Sequence, residues 1–587
     1  MRRPAVSRRG FAVGVAAVIA AVLFVQSTPP AQRGQFENAA LSVAVGTWSQ
    51  DGGTLTLGGT RYCDSFDPAQ SFDAWCSVIF RLYSRNLMAF QGKPGEASLI
   101  AEPDLAREQP TVSSDKTKWT FRIRKDAKWS DGTAITAQDV KYTMERLFDP
   151  KIIGSVSSTY LCLLATCVKG IPQYAGPRVK QKTKLTSVII RDSRTVTFKL
   201  KTPFVDFDRV LALPQFSIVH RKHELMLQRI KKSYGDNPSS SGPYALTRNA
   251  TTKSIQFVRN LNWSQSSDPI RNPHLDVIKW RNYRNDILLD RAVINGAVDI
   301  RLGDGLGAEG LRLLESSPKL NQRTDTPYSG FVNYFAINQD NVPLNRLDCR
   351  KAIFYGIDKA TLQNIRGGSR VSAIATSMLP PLVAGYDPTS NLYPSGRDDS
   401  GNLSAAREAL KKCGYPDGFE FTIAYLNTGI GPATVRSLQT SLARIGLVVV
   451  PKKFNTYAKF AAVVQSPEKL ATAGISVVIS GNGSVIQSAY DYWAPIADSR
   501  LITAFGNDNL AQISDPSINQ DIDALTTHPE NRVATSAKIN AQVMETAQYL
   551  PYAFDQHVLF RGSHLANVYV QQGLSGYYDI VNIALAK

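Results

Sequence analysis

The chain reads as a mixed α/β protein, α+β in its first half and more regularly α/β in its second, built as at least two domains. Three observations carry that reading. At 587 residues the chain exceeds one ordinary core, given roughly 100–200 residues per domain. Short runs of alternating apolar and polar residues, punctuated by turn residues, fill the first half, which is the pattern of antiparallel strands. In the second half strand-like and helix-like segments alternate, the pattern of an α/β layer. The composition, 43% hydrophobic and 20% charged with no long low-complexity tract, is that of a folded chain.

The elements follow in order. Residues 53–58, GTLTLG, alternate as a strand, and DSFDP at 64–68 breaks it with turn residues. WTFRIR at 119–124 puts Trp119, Phe121 and Ile123 on one face. The stretch KWSDGTAITAQDVKYTMERLFDP, residues 128–150, holds three devices in succession. Ser130, Asp131 and Gly132 form a turn after Trp129. Thr136 and Asp139 have the spacing of a capping box, with Asp in the place of Glu. Val140, Met144 and Leu147 then form one apolar stripe, with Lys141 and Glu145 outside it. Residues 188–200 read as a hairpin around Asp192 and Ser193, and SGPY at 241–244 is a turn before strands that include 255–258.

An aromatic extended segment, DTPYSGFVNYFAIN at 325–338, opens the second half. Asp348 is placed to cap CRKAIFYGI, and Asp358 to cap KATLQNI, which Gly367 and Gly368 stop. SAAREALKKC begins at Ser404 and ends against Gly414, a C′ residue with Pro416 beyond it. FEFTIAY puts Phe419, Phe421, Ile423 and Tyr425 on one strand face. A helix, TVRSLQTSLARIG, and a strand, LVVVPKKF, follow.

Four arginines precede an apolar run of 15 residues at 11–25, shorter than the roughly 20 that span a membrane. That layout, with SRRGF at 7–11 similar to a twin-arginine address, reads as an export signal over residues 1–33, with an uncleaved anchor as the alternative. The first cysteine after it is Cys63, so no cysteine is placed for N-terminal lipid attachment. The net charge is +18, and five arginines within residues 1–33 leave +13 on the rest. The basic residues are spread rather than blocked, which speaks for a solvated surface and against nucleic acid. Six cysteines, Cys63, Cys76, Cys162, Cys167, Cys349 and Cys413, permit fifteen connectivities. Proximity and domain placement suggest Cys63 with Cys76, Cys162 with Cys167, and Cys349 with Cys413, in an oxidising compartment. Zinc is the competing reading for Cys162 and Cys167, without a second ligand pair at suitable spacing.

Four stretches in order resemble one family. WSDG followed by ITAQDV and Tyr142, SGPYAL at Ser241, NYFAIN followed by RKAIFYGIDKATL, and AREALKKCGYPDGFE are similar to the extracytoplasmic solute-binding proteins of ABC importers, bacterial solute-binding family 5, the oligopeptide, dipeptide and nickel class. The resemblance runs from Gly53 to the C-terminus. It implies a two-lobed periplasmic-binding-protein-like fold of type II, cluster C, with an extra subdomain in the first lobe. The expected order is a polar lead over 34–50, a first lobe over 51–328 with the subdomain at about 70–200, a second lobe over 329–549 and a return to the first over 550–587. The crossing strands that act as hinge are expected near Thr326 to Tyr334 and Leu550 to Phe554.

Function follows from the same resemblance: an exported, periplasmic or extracellular monomer that captures an oligopeptide- or dipeptide-like solute between its lobes and delivers it to an ABC permease and its ATPase, with no cofactor. Peptide binders of the family carry an acid in a second-lobe segment that here looks like residues 474–493, where the first acid is Asp491. Ser480, Gly481, Asn482 and Ser484 would then offer a neutral polar cradle, with Tyr490 and Trp493 as walls; a surface loop with structural aromatics is the equal alternative. Asp64 and Phe66 face them from the first lobe, or serve as a turn Asp and a packed Phe. Tyr244 and Tyr328 are cleft walls by resemblance and core residues by default. An acidic or N-blocked peptide, or a non-peptide solute, fits a cleft without that acid.

Catalysis has no support. SSDK at Ser113 and SPEK at Ser466 fit S-x-x-K without the companion motifs, and no G-x-S-x-G, H-E-x-x-H or Walker sequence occurs. The six scattered histidines offer no metal site, against a nickel role. A secreted interaction or chaperone protein that keeps the fold is the remaining alternative.

Overall fold

A computed structural model describes residues 38–587 except 42, 72, 153–157, 169–170, 182, 250 and 252–253. The expected export signal lies outside the described residues.

Two sheets anchor two separate cores. In the first, Tyr244–Arg248, Ile255–Arg259 and Val277–Asn282 run antiparallel in turn, and Thr54–Gly59 and Ile300–Arg301 extend the sheet in parallel. The second has the order Ser372–Ile374, Tyr549–Gln556, Tyr328–Ile337, Val477–Gly483, Glu420–Leu426, Val448–Phe454. Its last strands pair in parallel across helical crossovers, as the alternation in the sequence implies. A four-stranded antiparallel sheet, built from segments between Thr111 and Lys199, forms a smaller layer attached to the first core. One apolar core draws on residues 39–302, takes in Ile486 and resumes at Leu559, and the other runs from Val332 to Phe554. These are the two lobes.

Local grammar explains the elements. Asp139 accepts from the backbone N–H and hydroxyl of Thr136, both at 2.9 Å, and so caps the helix Ala137–Arg146. Val140, Met144 and Leu147 on that helix are buried, and Lys141 meets Glu145 at 3.9 Å outside the stripe. Trp129 is buried face to face with His220, with ring centroids 4.8 Å apart. Gly414 ends Leu403–Cys413 in the left-handed region at φ +82°. Asp358 caps Lys359–Ile365 through the N–H of Thr361. Asp348 does not cap its helix. Leu347–Gly356 starts two residues earlier, with Arg346 at the cap, and Asp348 sits in the first turn, where its charge suits the helix N-terminus.

The three disulfides are Cys63–Cys76, Cys162–Cys167 and Cys349–Cys413, with Cα separations of 5.9, 5.6 and 5.3 Å. Each lies within one lobe.

The chain passes between lobes where Tyr328 pairs with Gln556, His557 N–H donates to the Pro327 carbonyl at 3.0 Å, and the Gln556 amide reaches the Thr326 carbonyl at 3.4 Å. Thr326 lies beside this contact, and Tyr334, Leu550 and Phe554 are buried in the second core. The apolar run through each strand marks the part that packs in the lobe, and the crossing falls where that run stops.

Candidate functional site

Between the lobes lies a cavity of about 360 Å³. The first lobe supplies residues 71–80 in part, 213–215 and 573–575; the second supplies 329–331 and 483–485. Such a volume falls in the range of small-ligand sites. Its walls mix small polar groups, Ser71, Ser77, Ser329 and Ser484, with the apolar bodies of Phe80, Leu213, Phe331 and Leu574. Asp73 is the one charged side chain among the described lining residues.

The first-lobe wall is a crosslinked loop. The Cys63–Cys76 disulfide closes it, Asp64 accepts from the Ser71 hydroxyl at 2.5 Å, and Asp73 forms a two-point pair with Arg61. Arg61 also lies over the Trp75 ring, 5.6 Å from its centroid. Arg61 and Trp75 line a second cavity, of about 320 Å³, whose other lining residues include the glycine-rich loop 303–307. The Arg61–Asp73 pair thus spans the divide between the two cavities.

The second-lobe wall is a strand end and a tight turn. Gly481 opposes Asn333 in the sheet, and a Cβ there would run into the ring of Phe331, so glycine at this place lets Phe331 lie across the strand at the cavity edge. Past Gly483 the turn is organised by Asp491. Its carboxylate accepts from the Ser484 hydroxyl and the Val485 N–H, each at 2.8 Å, more weakly from Ile486 N–H at 3.5 Å, and from the Tyr160 hydroxyl. Burial pushes the Asp491 carboxyl up, and these donors oppose that shift. The acid of this segment is spent on holding the turn.

The structure gathers some of the sequence-derived candidates and disperses others. Ser484 lines the cavity, and Asp64 stands one step behind it, bonded to Ser71. Tyr328 adjoins the lining residue Ser329 and packs edge-on against Phe554. Ser480 and Asn482 lie on the strand beside the wall, Asn482 donating to the Tyr492 carbonyl at 3.2 Å. Four aromatics leave the site. Phe66 is buried beneath Arg248 and beside Trp280. Tyr244 is buried and donates to the Leu275 carbonyl at 2.9 Å. Trp493 is in the second core, with its indole N–H on the Ser536 hydroxyl at 3.0 Å. Tyr490 meets Phe204 of the first lobe edge-on at 5.6 Å and packs on both cores. Each aromatic buries more area in a core than a small cleft offers, and a hydroxyl or indole N–H needs a fixed partner once buried.

Sequence reading missed Asp73, Phe331, residues 213–215 and residues 573–575. A cue existed for the first: a disulfide from Cys63 to Cys76 brackets the loop that carries Asp73. The others come from distant segments whose meeting depends on the tertiary fold.

Among the described residues no helix is long and apolar enough to cross a membrane. Asp64, Asp73 and Cys76 offer oxygen and sulfur atoms near one another, but Cys76 is bound in its disulfide and cannot ligate as a thiolate.

Two lobes joined by a pair of crossing strands, with a ligand-sized cavity between them, define a two-lobed binding protein. The model of bacterial extracellular solute-binding proteins, family 5 Middle, matches residues 101–508. The chain belongs to that family. A curated relative, the glutathione-binding protein GsiB of Escherichia coli O6:K15:H31, is 24% identical over 384 residues, 65% of this chain and 66% of the relative. The chain thus spans just under two thirds of the length of the curated relatives it matches. Among solved structures, the clavulanic acid biosynthesis oligopeptide binding protein 2 is 32% identical with a TM-score of 0.84, over 94% of this chain and 98% of that one. DppA from Helicobacter pylori in complex with peptide STSA shares the fold at 19% identity and a TM-score of 0.62, over 90% of this chain and 99% of that one. These relatives are binding proteins by name.

Proposed function

We propose that this protein captures a short peptide or peptide-like solute in the interlobe cavity and delivers it, from outside the cytoplasmic membrane, to an ABC permease. The observation that carries the reading is a single cavity of about 360 Å³ walled by both lobes. A ligand that touches both walls at once favours the closed arrangement by its differential affinity, and closure is the signal a permease can read. The names of the oligopeptide-binding and glutathione-binding relatives support the ligand class.

Asp73 is the group we assign to a ligand ammonium. It reaches the cavity from the first lobe, whereas Asp491 in the second is committed to its turn. Arg61, held against Asp73, stands ready for a ligand carboxylate once the pair is shared. The remaining assignments are Ser71, Ser329 and Ser484 as hydrogen-bonding groups and Phe331 as an apolar wall. The protein acts without catalysis and as a monomer in this reading, and the crossing at 326–328 and 556–557 is the hinge.

The test is native mass spectrometry of the purified protein, followed by calorimetric titration with di- to tetrapeptides, glutathione and their N-acetylated forms. Free-amine peptides are expected to bind, and to lose about tenfold or more on N-acetylation or in Asp73→Asn, the effect of a charge-assisted hydrogen bond. Equal binding of blocked and free forms by both proteins would remove Asp73 from this role. Failure of every peptide would move the protein toward a non-transport interaction role.

A further inference from the structure

Away from the crossing strands, the lobes grip each other a second time. Residues 204–209 of the first lobe meet residues 486–491 and Arg532 of the second. Asp206 is buried; one carboxylate oxygen accepts from the Ser488 hydroxyl at 2.5 Å and the other pairs with Arg532 at 3.0 Å. Arg209 donates to the carbonyls of Ile486 at 3.2 Å and Gln487 at 2.8 Å. Ile486 itself packs in the first lobe's core. The Tyr160 hydroxyl donates to Asp491 across the same seam.

Both halves of this contact are joined directly to cavity walls. The helix Phe207–Ala212, entered through Asp206, leads straight into the lining residues 213–215. Ile486 to Ser488 follow at once the lining residues 483–485, with Gln487 held in the left-handed region at φ +50°. The cavity is therefore bounded on one side by the crossing strands and on the other by this cluster. Breaking such a pair is costly, because the partner left behind is an uncompensated buried charge.

We propose that Asp206, Arg209, Ser488 and Arg532 form an interlobe latch, which holds the two cavity walls together whether or not a solute is bound and must release before a solute enters or leaves. The latch rests on the two-lobed reading of the cavity and on no particular ligand.

The test uses the full ligand-free protein, so it succeeds or fails independently of any peptide's binding. Small-angle scattering and hydrogen–deuterium exchange are compared for wild type, Arg532→Ala, Ser488→Ala and Arg532→Lys. With the latch as proposed, Arg532→Ala and Ser488→Ala enlarge the radius of gyration. They also raise exchange at 484–488 and 213–215 by about tenfold, as loss of one buried hydrogen bond implies, while exchange in Tyr328–Ile337 is unchanged. Arg532→Lys keeps the charge and falls between. Unaltered scattering and exchange in both variants would overturn the proposal. So would faster exchange spread evenly through the second lobe, because that pattern reports lost folding rather than lost lobe contact.

Discussion

The two walls of the cavity are held in different ways. The first-lobe wall, around residues 71–77, is fixed covalently: a disulfide spans it, and Asp64 and Arg61 tie its side chains from the same lobe. The second-lobe wall, residues 483–485, has no crosslink and hangs on one buried carboxylate, Asp491, which also bonds the other lobe through Tyr160. One wall is a template. The other is tied to the arrangement of the lobes, since the group that shapes its turn is also bonded across the seam.

Removing the crosslink is the largest way to break this contrast. Cys63→Ser with Cys76→Ser frees a loop closed at a separation of 13 residues, worth about 3 kcal/mol in the chain-entropy account. Calorimetry should show that loss together with weakened solute binding. Cys162→Ser with Cys167→Ser closes a separation of only 5, away from the cavity, and should cost less and leave binding intact. Equal effects on binding would mean that the first wall is no template. Next in size is Asp491→Ala. It leaves the buried hydroxyls of Tyr160 and Ser484 without their acceptor, at about 2 kcal/mol, read as a lower urea midpoint with faster exchange confined to 484–486. Gly481→Ala is somewhat milder, about 1–2 kcal/mol: the part-exposed Phe331 ring can swing aside, but the new Cβ also comes within 2.9 Å of the Val332 carbonyl oxygen, which the sheet holds in place. Its signature should be altered solute affinity together with a modestly lowered melting temperature.

The contrast also explains how much was legible in the sequence. Strands, helices and the alternation of the second half could be read because each follows a local rule: the capping pair Thr136 and Asp139, the stripe Val140, Met144 and Leu147, and Gly414 at the C′ position. The nearest-neighbour cysteine pairing was also right, because each pair staples residues within one lobe. Of the residues singled out in the sequence, Ser484 lines the cavity and Asp64 is bonded to the lining residue Ser71, whereas Tyr244, Phe66 and Trp493 are core residues. An aromatic in a strand or helix carries the same local signal whether it faces a cleft or an interior. Asp73 and residues 213–215 and 573–575 converge only through contacts between distant segments, and no periodicity encodes such a meeting. Asp206 was missed for a further reason: an Asp just ahead of a helix looks like an ordinary cap, yet its side chain bonds the other lobe.

The smallest predicted effect concerns the seam where the walls meet. Asp208, on the helix Phe207–Ala212 that bears Arg209, has its carboxyl pushed up to about 6, first by burial and then by the neighbouring charge of Asp206, against the pull of Arg209 and Arg532. An exposed aspartate titrates near 4, roughly. Between those values the folded chain holds a proton that the unfolded chain has released, so this group's contribution to stability falls as pH rises from about 4 to about 6, and the loss is complete above that. Asp208→Asn removes the dependence. At pH 7.5 the variant should be the more stable protein, by on the order of 1 kcal/mol, and the two melting temperatures should converge as pH falls toward 4. Its uncharged side chain also relieves the repulsion on Asp206, so exchange at 486–488 should slow at neutral pH in the variant and match wild type in acid. If the melting difference instead persists at pH 4, the gain comes from packing rather than from a carboxylate ionised against its surroundings, and the charge on this side of the seam does not act on the latch.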